Sequence, residues 1–245
     1  MRALVQLLSR VRVFLVAIPA IYVFTIFMGT VSLLLSLADR DGRAQHACAR
    51  WWARGLLFLG RVRVRVRGLE NISPGETYLF VANHSSYMDI PVVFGYLPAN
   101  FRIMAKASLF HIPFLGWHLR RSGHMPIAAK NPRRAARSLL EAAGHVAQGT
   151  PVFVFPEGAR ASSGQVGEFK PGTFLLAIKS GKPVMPMTLN GVRAVLPMES
   201  YYLRPGDVEL ILHAPIPTAG MHTDSAPALA HQVRTAILSA YKQDS

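Results

Sequence analysis

The longest uncharged stretch of the sequence is the feature that most constrains how this chain can fold. Residues 13–38 form 26 consecutive residues without a charged side chain. This is enough for a helix to cross a bilayer and too long for the core of a signal peptide. Residues 47–60 are also apolar and carry Trp and Arg, which favour the membrane interface. We therefore expect residues 1–60 to be membrane-anchoring helices. They would form one spanning helix, or a two-helix hairpin that is broken near Pro19 or Gly29 and dips into one leaflet. A buried helix of a soluble protein is the third arrangement.

Charge and hydrophobicity together narrow the classes of partner. The chain has 27 Lys and Arg against 13 Asp and Glu, a net charge of +14, although 51% of its residues are hydrophobic. A basic and apolar chain suits an anionic membrane surface. Nucleic acid is disfavoured, because the sequence has no zinc-finger spacing, RNP motif or basic heptad region. The single cysteine, Cys48, excludes an internal disulfide, and no metal-ligand spacing accompanies it.

The rest of the chain alternates between short apolar segments and amphipathic ones. Residues 61–68 read RVRVRVRG and predict a half-exposed strand with Val on one face and Arg on the other. Residues 77–83 predict a buried strand, and residues 151–160 predict another that runs into a loop. Residues 132–148 predict an amphipathic helix with Pro in its first turn. This alternation indicates one α/β domain over residues 61–245 with a largely parallel central sheet.

The first polar cluster follows a predicted strand, at the position where open parallel sheets bind ligands. It contains His84 and Asp89, five residues apart. Histidine is the natural general base near neutral pH, and a carboxylate at this spacing can orient one imidazole nitrogen. Ser85 and Ser86 are alternative nucleophiles, but no G-x-S-x-G turn surrounds them and they also suit helix capping. Taken alone, the motif fits a structural histidine as well as a catalytic one.

The second polar cluster adds a carboxylate and several cations. Glu157, Gly158 and Arg160 lie in a loop after a predicted strand, and the planar guanidinium of Arg suits a phosphate group. Lys170 lies at a predicted helix start, where the helix dipole also favours an anion. Lys106 is a further basic candidate. Each of these is by itself equally typical of a surface ion pair or a solvated helix.

In this combination of motifs the sequence resembles the glycerolipid acyltransferase family, and within it the 1-acyl-glycerol-3-phosphate acyltransferases. The matching motifs occur in the family's order and together span about residues 65–215. They are N-H-x-x-x-x-D at Asn83, His84 and Asp89; F-P-E-G-x-R at residues 155–160, with Ala161 replacing the usual Ser; F-K-x-G at residues 169–172; G-x-P-x-x-P at Gly181, Pro183 and Pro186; and K-x-x-L-x-x-x-P-x-x-G at Lys106, Leu109, Pro113 and Gly116.

One family motif is altered in this chain. The family's G-x-I-x-I-D-R motif, which contributes an arginine to the glycerophosphate site, corresponds here to GHMPIAAK at residues 123–130. Ala128 and Ala129 occupy the aspartate and arginine positions. Lys130 follows one residue later, but an ammonium group does not copy the bidentate geometry of a guanidinium. The acceptor is therefore expected to be lysophosphatidic acid, with another lysolipid such as a lyso-ornithine lipid as the alternative.

The resemblance implies transfer of an acyl chain from acyl-CoA or an acyl-carrier protein to the 2-hydroxyl of lysophosphatidic acid, giving phosphatidic acid. It implies that His84 is the base and that Asp89 orients it. The implied substrate-binding residues are Asn83, Lys106, Lys130, Glu157, Gly158, Arg160 and Lys170. Within this set, Arg160 with Lys130 or Lys106 would hold the phosphate, and Glu157 would fix Arg160 or a glycerol hydroxyl. The resemblance implies no metal and no tightly bound cofactor. It places the enzyme in the inner membrane with its active site facing the cytoplasm.

Three other functions share some of these features. A serine hydrolase or lipase would use the same strand ends, but it needs the nucleophile turn that the sequence lacks. A non-catalytic membrane-binding protein would explain the charge and the apolar run, but it has no need for His84 together with Asp89. A nucleic-acid binder would show binding that weakens steeply with salt and does not require lipid.

Overall fold

The structure, a computed structural model, describes residue 15 and residues 18–39, 41–128, 131–161, 164–198, 200 and 202–243. The predicted substrate ligand Lys130 lies outside the described residues, as does most of the apolar run before residue 18. Helices and strands alternate along the described part of the chain, as the sequence predicts. The α-helices are α1 Ile18–Leu35, α2 Arg43–Leu59, α3 Asp89–Tyr96, α4 Leu115–Arg121, α5 Pro132–Ala147, α6 Pro171–Ser180, α7 Val192–Val195 and α8 Ala226–Leu238.

A seven-stranded sheet lies at the centre of the fold. Its strands are β1 Val62–Arg67, β2 Leu79–Ala82, β3 Arg102–Lys106, β4 Met125–Ile127, β5 Val152–Val154, β6 Val184–Asn190 and β7 Gly206–Leu212. The spatial order is β1-β7-β6-β2-β5-β3-β4, and the pairs are parallel except for β6 with β7. This confirms the predicted α/β fold with a largely parallel sheet. β1 and β7 run against the other five strands, which the sequence pattern does not predict.

Apolar layers cover both faces of the sheet. Successive side chains of a strand point to opposite faces, so Phe80 of β2 packs on one side and Leu79 and Val81 pack on the other. The layer around Phe80 contains residues of α2 and α3, and the layer around Leu79 contains residues of α5, α6 and α8. β2 is buried along its whole length, which explains why it reads as a continuous apolar run.

The N-terminal segment forms an antiparallel pair of helices. α1 runs without interruption through Gly29, and Pro19 is its second residue, so the predicted break occurs instead in the turn after Leu35. Proline is tolerated there because the first N–H groups of a helix have no intrahelical acceptor. Among the described residues, α1 is the one helix that is both long enough and apolar enough to cross a membrane. Of its residues, 6% are fully buried.

α2 is braced against the helix that begins at Asp89. Its Arg54 Nε donates to the Gly95 carbonyl at 2.9 Å, and its Arg50 donates to the Leu97 carbonyl at 3.1 Å. Both acceptors lie at the carboxyl end of α3, where cations complement the helix dipole. The N-terminal helices are thereby tied to the element that carries the predicted carboxylate.

Candidate active site

Two loops meet at the carboxyl edge of the sheet because the strands before them are neighbours. β2 and β5 pair in parallel, so residues 83–88 after β2 lie beside residues 155–161 after β5. The Ala161 N–H donates to the His84 carbonyl at 2.9 Å, which joins the two loops directly. The structure thus brings together two motifs that the sequence places about 70 residues apart.

His84 and Asp89 form the predicted pair. Asp89 is the first residue of α3, and its Oδ2 lies 2.6 Å from Nδ1 of His84. The same oxygen accepts the backbone N–H groups of Ser85 at 2.8 Å and Ser86 at 3.0 Å. Since this oxygen already accepts two N–H groups, it acts as an acceptor, and an imidazole with its hydrogen on Nδ1 would present the lone pair of Nε2 to a substrate. The Asp89 side chain is fully buried while that of His84 is 13% exposed, which leaves the imidazole accessible to a substrate.

The Phe155 ring stacks on the His84 ring. The two rings stack with centroids 3.8 Å apart and planes inclined by 11°. Phe155 follows β5 directly, so the strand that positions the second loop also positions this ring. Phe155 is the first residue of the F-P-E-G-x-R motif, but nothing in the motif indicates its contact with His84. The stack fixes the plane of the ring, and the contact with Asp89 decides which edge of the ring faces the carboxylate.

Glu157 holds the backbone on both sides of the site. Its Oε1 accepts the His84 N–H at 2.7 Å and its Oε2 accepts the Gly167 N–H at 2.9 Å. Burial raises the pKa of this carboxyl, and the two N–H groups oppose that shift. Both oxygens are used to hold backbone, so Glu157 does not orient Arg160. It connects the base to the loop at residues 164–167.

Arg160 is held by an aromatic ring instead of by a carboxylate. Its guanidinium carbon lies 3.8 Å from the centroid of the Tyr87 ring. Tyr87 belongs to the H-x-x-x-x-D motif and is 54% exposed, so the stacked pair lies at the open side of the site. A guanidinium over an aromatic ring has its N–H groups at the edge of its own plane, where they can bind an anion. The sequence motif contains Tyr87, but its spacing does not reveal this contact.

Asn83 is a structural residue in this fold. The side chain is 1% exposed, its Nδ2 donates to the Leu189 carbonyl at 3.0 Å, and its Oδ1 accepts the Leu189 N–H at 2.8 Å. Its amide therefore joins the end of β2 to β6 like one more rung of the sheet. The prediction that Asn83 binds substrate is not supported by this geometry, because both polar atoms are already bonded in the interior.

The two serines of the motif are also structural. The Ser86 hydroxyl donates to the Leu196 carbonyl at 2.8 Å and accepts the Met88 N–H at 3.1 Å, and the side chain is fully buried. Ser85 is buried too, and its N–H is bonded to Asp89. A nucleophile needs an accessible hydroxyl beside the base, so this arrangement disfavours serine chemistry.

The remaining predicted cations lie around the same edge. Lys106 is exposed at the carboxyl end of β3, the strand next to β5. Lys170 is exposed immediately before α6, and a Cβ placed on Gly158 would lie 2.5 Å from its Nζ. Gly158 has φ +76°, so the absence of a side chain serves both its backbone conformation and the approach of Lys170.

An open cavity of about 460 Å³ lies beside Arg160 and is also lined by Gln165 and Arg234. Among the described residues, no group of three or more His, Cys, Asp or Glu side chains is arranged to hold a metal ion. The described site therefore consists of an oriented base next to guanidinium and ammonium groups. Such a site can remove a proton from a substrate that also carries an anionic group.

Comparisons with known proteins agree with this geometry. Residues 63–190 match the family model described as Acyltransferase. A chloroplastic 1-acyl-sn-glycerol-3-phosphate acyltransferase of Brassica napus is 35% identical over 205 residues, which are 82% of this chain and 59% of that protein. The human 1-acyl-sn-glycerol-3-phosphate acyltransferase alpha is 30% identical over 189 residues, 77% of this chain and 67% of the human protein.

The similarity extends to three dimensions. The crystal structure of the 1-acyl-sn-glycerophosphate (LPA) acyltransferase PlsC from Thermotoga maritima matches this chain with a TM-score of 0.78 and 28% sequence identity, covering 100% of both chains. By contrast, the chain spans 52–60% of the length of the plant and algal relatives that it matches. The matched family region contains the His84 and Asp89 motif and the loop that ends at Arg160.

Proposed function

This chain belongs to the Acyltransferase family, and we propose that it transfers an acyl chain from an acyl thioester to the 2-hydroxyl of lysophosphatidic acid, giving phosphatidic acid for phospholipid biosynthesis. The donor would be acyl-CoA or an acyl-carrier protein. The observation that carries the proposal is the His84–Asp89 pair beside the Arg160–Tyr87 stack, since it joins a base to a phosphate ligand.

In the proposed reaction, Nε2 of His84 takes the proton of the acceptor hydroxyl. At the same time the hydroxyl oxygen attacks the carbonyl carbon of the thioester. The carbon–sulfur bond then breaks, and His84 returns the proton to the leaving thiolate. Asp89 stabilises the imidazolium that exists between these steps. General-base catalysis supplies about 10²–10⁴-fold of the rate. Positioning of the two substrates supplies much of the remainder. No acyl-enzyme forms, which agrees with the internal bonds of Ser86.

Arg160 and Lys106 are proposed to bind the phosphate of the acceptor. Both lie at the carboxyl edge, Arg160 after β5 and Lys106 at the end of the adjacent β3, and β5 is also the neighbour of β2, which precedes His84. Lys170 would add positive charge close to Gly158, and Lys130 remains a proposed ligand on sequence grounds. A guanidinium held flat against Tyr87 can present two parallel N–H groups to one phosphate.

We also propose an alternative acceptor, because the family motif at residues 123–130 is altered. Ala129 stands in the family's arginine position, so the arginine that the family contributes to the glycerophosphate site is missing there. A lysolipid with a different headgroup, such as a lyso-ornithine lipid, would need fewer cations than lysophosphatidic acid. The two acceptors therefore belong in the same assay.

The protein is proposed to lie in the inner membrane with its site facing the cytoplasm. α1 is apolar, and its exposed side chains include Tyr22, Val23, Ile26, Phe27, Leu34 and Leu35, which in water would leave a large apolar surface uncovered. Residues 1–60 would anchor the chain and residues 61–245 would carry the chemistry. An anchored site meets the lysolipid at the leaflet where its acyl chain already resides.

The first test is acyl transfer from labelled acyl-CoA or acyl-carrier protein to lysophosphatidic acid in detergent micelles. Wild type should form phosphatidic acid, and His84→Ala should lose at least about 10²-fold in rate. His145→Ala, an exposed histidine on α5, is the matched control and should retain full activity. Equal activity of wild type and His84→Ala would make His84 structural. If the protein is inactive with lysophosphatidic acid but acylates another lysolipid, the proposed acceptor is wrong and the proposed mechanism stands.

A further inference from the structure

A short apolar segment next to the site is exposed without being part of α1. Residues 112–117 read IPFLGW, and four of these side chains are large, apolar and open to solvent. The exposed fractions are 47% for Ile112, 55% for Phe114, 42% for Leu115 and 49% for Trp117. The rings of Phe114 and Trp117 lie 5.1 Å apart, so they form one aromatic surface. Concentrations of exposed apolar side chains of this kind mark interaction surfaces.

The backbone of this segment is strained in a way that turns the side chains outward. Phe114 has φ +60° and ψ −59°, and the Leu115 N–H donates to the Pro113 carbonyl at 2.7 Å. This is a γ-turn with positive φ, which is rare for a residue with a bulky side chain. Gly116 packs so closely on the backbone of Phe110 that no Cβ would fit. Strain of this kind persists where the surroundings enforce it, typically at functional positions.

The segment connects the carboxyl edge of the sheet to a helix that contacts α1. It follows β3 and Lys106 after one 3₁₀ turn, Ala107–His111, and therefore starts at the carboxyl edge of the sheet. It runs into α4, whose His118 Nδ1 lies 2.7 Å from the hydroxyl of Ser32 on α1. The helix that follows the aromatic surface is thus packed directly against α1.

We propose that residues 112–117 insert into the interfacial region of the bilayer and form a second membrane contact beside the active site. The inference rests on the proposed membrane location of the protein. A lipid surface is the partner that the observations favour. Phe and Trp prefer the level of the headgroups, and the exposed Arg120 and Arg121 that follow them complement anionic lipids.

Two contacts define an orientation that one helix leaves free. With α1 on one side and residues 112–117 on the other, the carboxyl edge faces the leaflet. Lys106, six residues before Ile112, is then held at the depth of the lipid phosphates. The segment would therefore act on capture of the acceptor from the membrane and not on the chemical step at His84.

Tryptophan fluorescence tests this placement directly. The chain has three tryptophans, at positions 51, 52 and 117. The double variant Trp51→Phe, Trp52→Phe leaves Trp117 as the reporter. As a matched control, Leu140→Trp is combined with phenylalanine at all three natural positions, since Leu140 is 52% exposed on α5. Both proteins are mixed with vesicles of phosphatidylcholine and phosphatidylglycerol that carry brominated acyl chains.

The brominated chains should reduce the emission of Trp117 by about two-fold or more, and leave the control reporter nearly unchanged. Flotation of the same samples separates the two hypotheses. If the chain floats with the vesicles but Trp117 is not quenched, the second contact is refuted and the membrane location stands. If the chain does not float, both fail. Equal quenching of the two reporters would also refute the proposal, because it would indicate no preferred orientation.

A functional measurement supplies the second arm. Phe114→Ser combined with Trp117→Ser should reduce transfer to lysophosphatidic acid in vesicles about 10-fold more than transfer to the same acceptor in micelles. Leu140→Ser with Leu238→Ser, two exposed leucines on α5 and α8, should show no such difference. An equal loss in vesicles and micelles would place the segment in the chemistry or the fold and overturn the inference.

Discussion

The histidine at the carboxyl edge and the histidines beneath the N-terminal helices differ in exposure and in hydrogen-bond partner. His84 is partly exposed and bonded to a buried carboxylate. His46, His118 and His124 lie between α1, α2 and the domain, where His46 packs against Phe101 with ring centroids 4.9 Å apart. Among the described residues, the His84–Asp89 pair is the one contact between an imidazole and a carboxylate at ion-pair distance.

The buried histidines are held neutral by their surroundings. Burial, with the neighbouring charges of Arg50 and Arg102, lowers the pKa of His46 from 6.5 to about 4. Burial also lowers the pKa of His118, and that of His124 lies well below its ordinary value. The Ile103 N–H is bonded to Nδ1 of His124, which is the contact of a structural acceptor. Burial therefore makes an imidazole inert, and a base additionally needs a carboxylate on one nitrogen and access to the other.

The largest effect expected from this comparison comes from removing the carboxylate charge. Asp89→Asn keeps an oxygen for the N–H groups of Ser85 and Ser86 but no longer stabilises the imidazolium. We expect kcat to fall by about 10²–10⁴-fold, measured by acyl transfer in micelles. His46→Leu removes a histidine without such a partner and should leave kcat unchanged. A similar loss in both variants would contradict the distinction between the two kinds of histidine.

The next effect is on stability and appears in acid. Because the folded pKa of His46 is about 4 and its ordinary value is 6.5, the unfolded chain binds a proton in this window that the folded chain does not. Stability is therefore lost as the pH falls from about 6.5 toward 4, by up to roughly 3 kcal/mol from this group. His46→Leu should flatten this loss when denaturant unfolding in detergent is compared near pH 7 and near pH 5. An unchanged pH dependence would show that His46 is not buried as a neutral group.

A smaller effect is expected where Glu157 connects the two loops. In Glu157→Gln, an amide nitrogen would face one of the two N–H groups that the carboxylate now accepts. The free energy of unfolding should fall by about 2 kcal/mol, and kcat should fall as the His84 backbone shifts. Glu168→Gln is the control, since that side chain is 92% exposed and should change stability by less than about 0.5 kcal/mol. Thermal unfolding and micelle assays measure both.

The smallest effect concerns the ring under Arg160. Tyr87→Leu removes an exposed cation–π contact of about 1 kcal/mol, so KM for lysophosphatidic acid should rise about 2- to 5-fold with little change in kcat. Tyr87→Phe keeps the ring and should restore the wild-type KM. A rise that Tyr87→Phe does not reverse would assign the effect to the hydroxyl. A loss of kcat alone would place Tyr87 near the chemistry.

Local patterns in the sequence determine the parts of this molecule that depend on near neighbours. The apolar run predicts helix α1, and the alternation of Arg and Val predicts β1. The contact of His84 with Asp89 follows from five residues of spacing across one turn. The alternation of strand and helix patterns predicts the α/β fold, which the structure confirms.

The tertiary structure decides what depends on distant residues. Glu157 is 73 residues from His84 and Asn83 is 106 residues from Leu189, so their partners depend on the order of the strands. Hydrophobic periodicity records which face of a strand is buried but not which strand lies beside it. That order decides the observed contacts of Asn83 and Glu157, which differ from the predicted ones. It also decides the contact of Arg160 with Tyr87 and the reversed direction of β1 and β7. The sequence by itself therefore determines the pairing of His84 with Asp89, and the packing of the sheet determines what holds the pair in place.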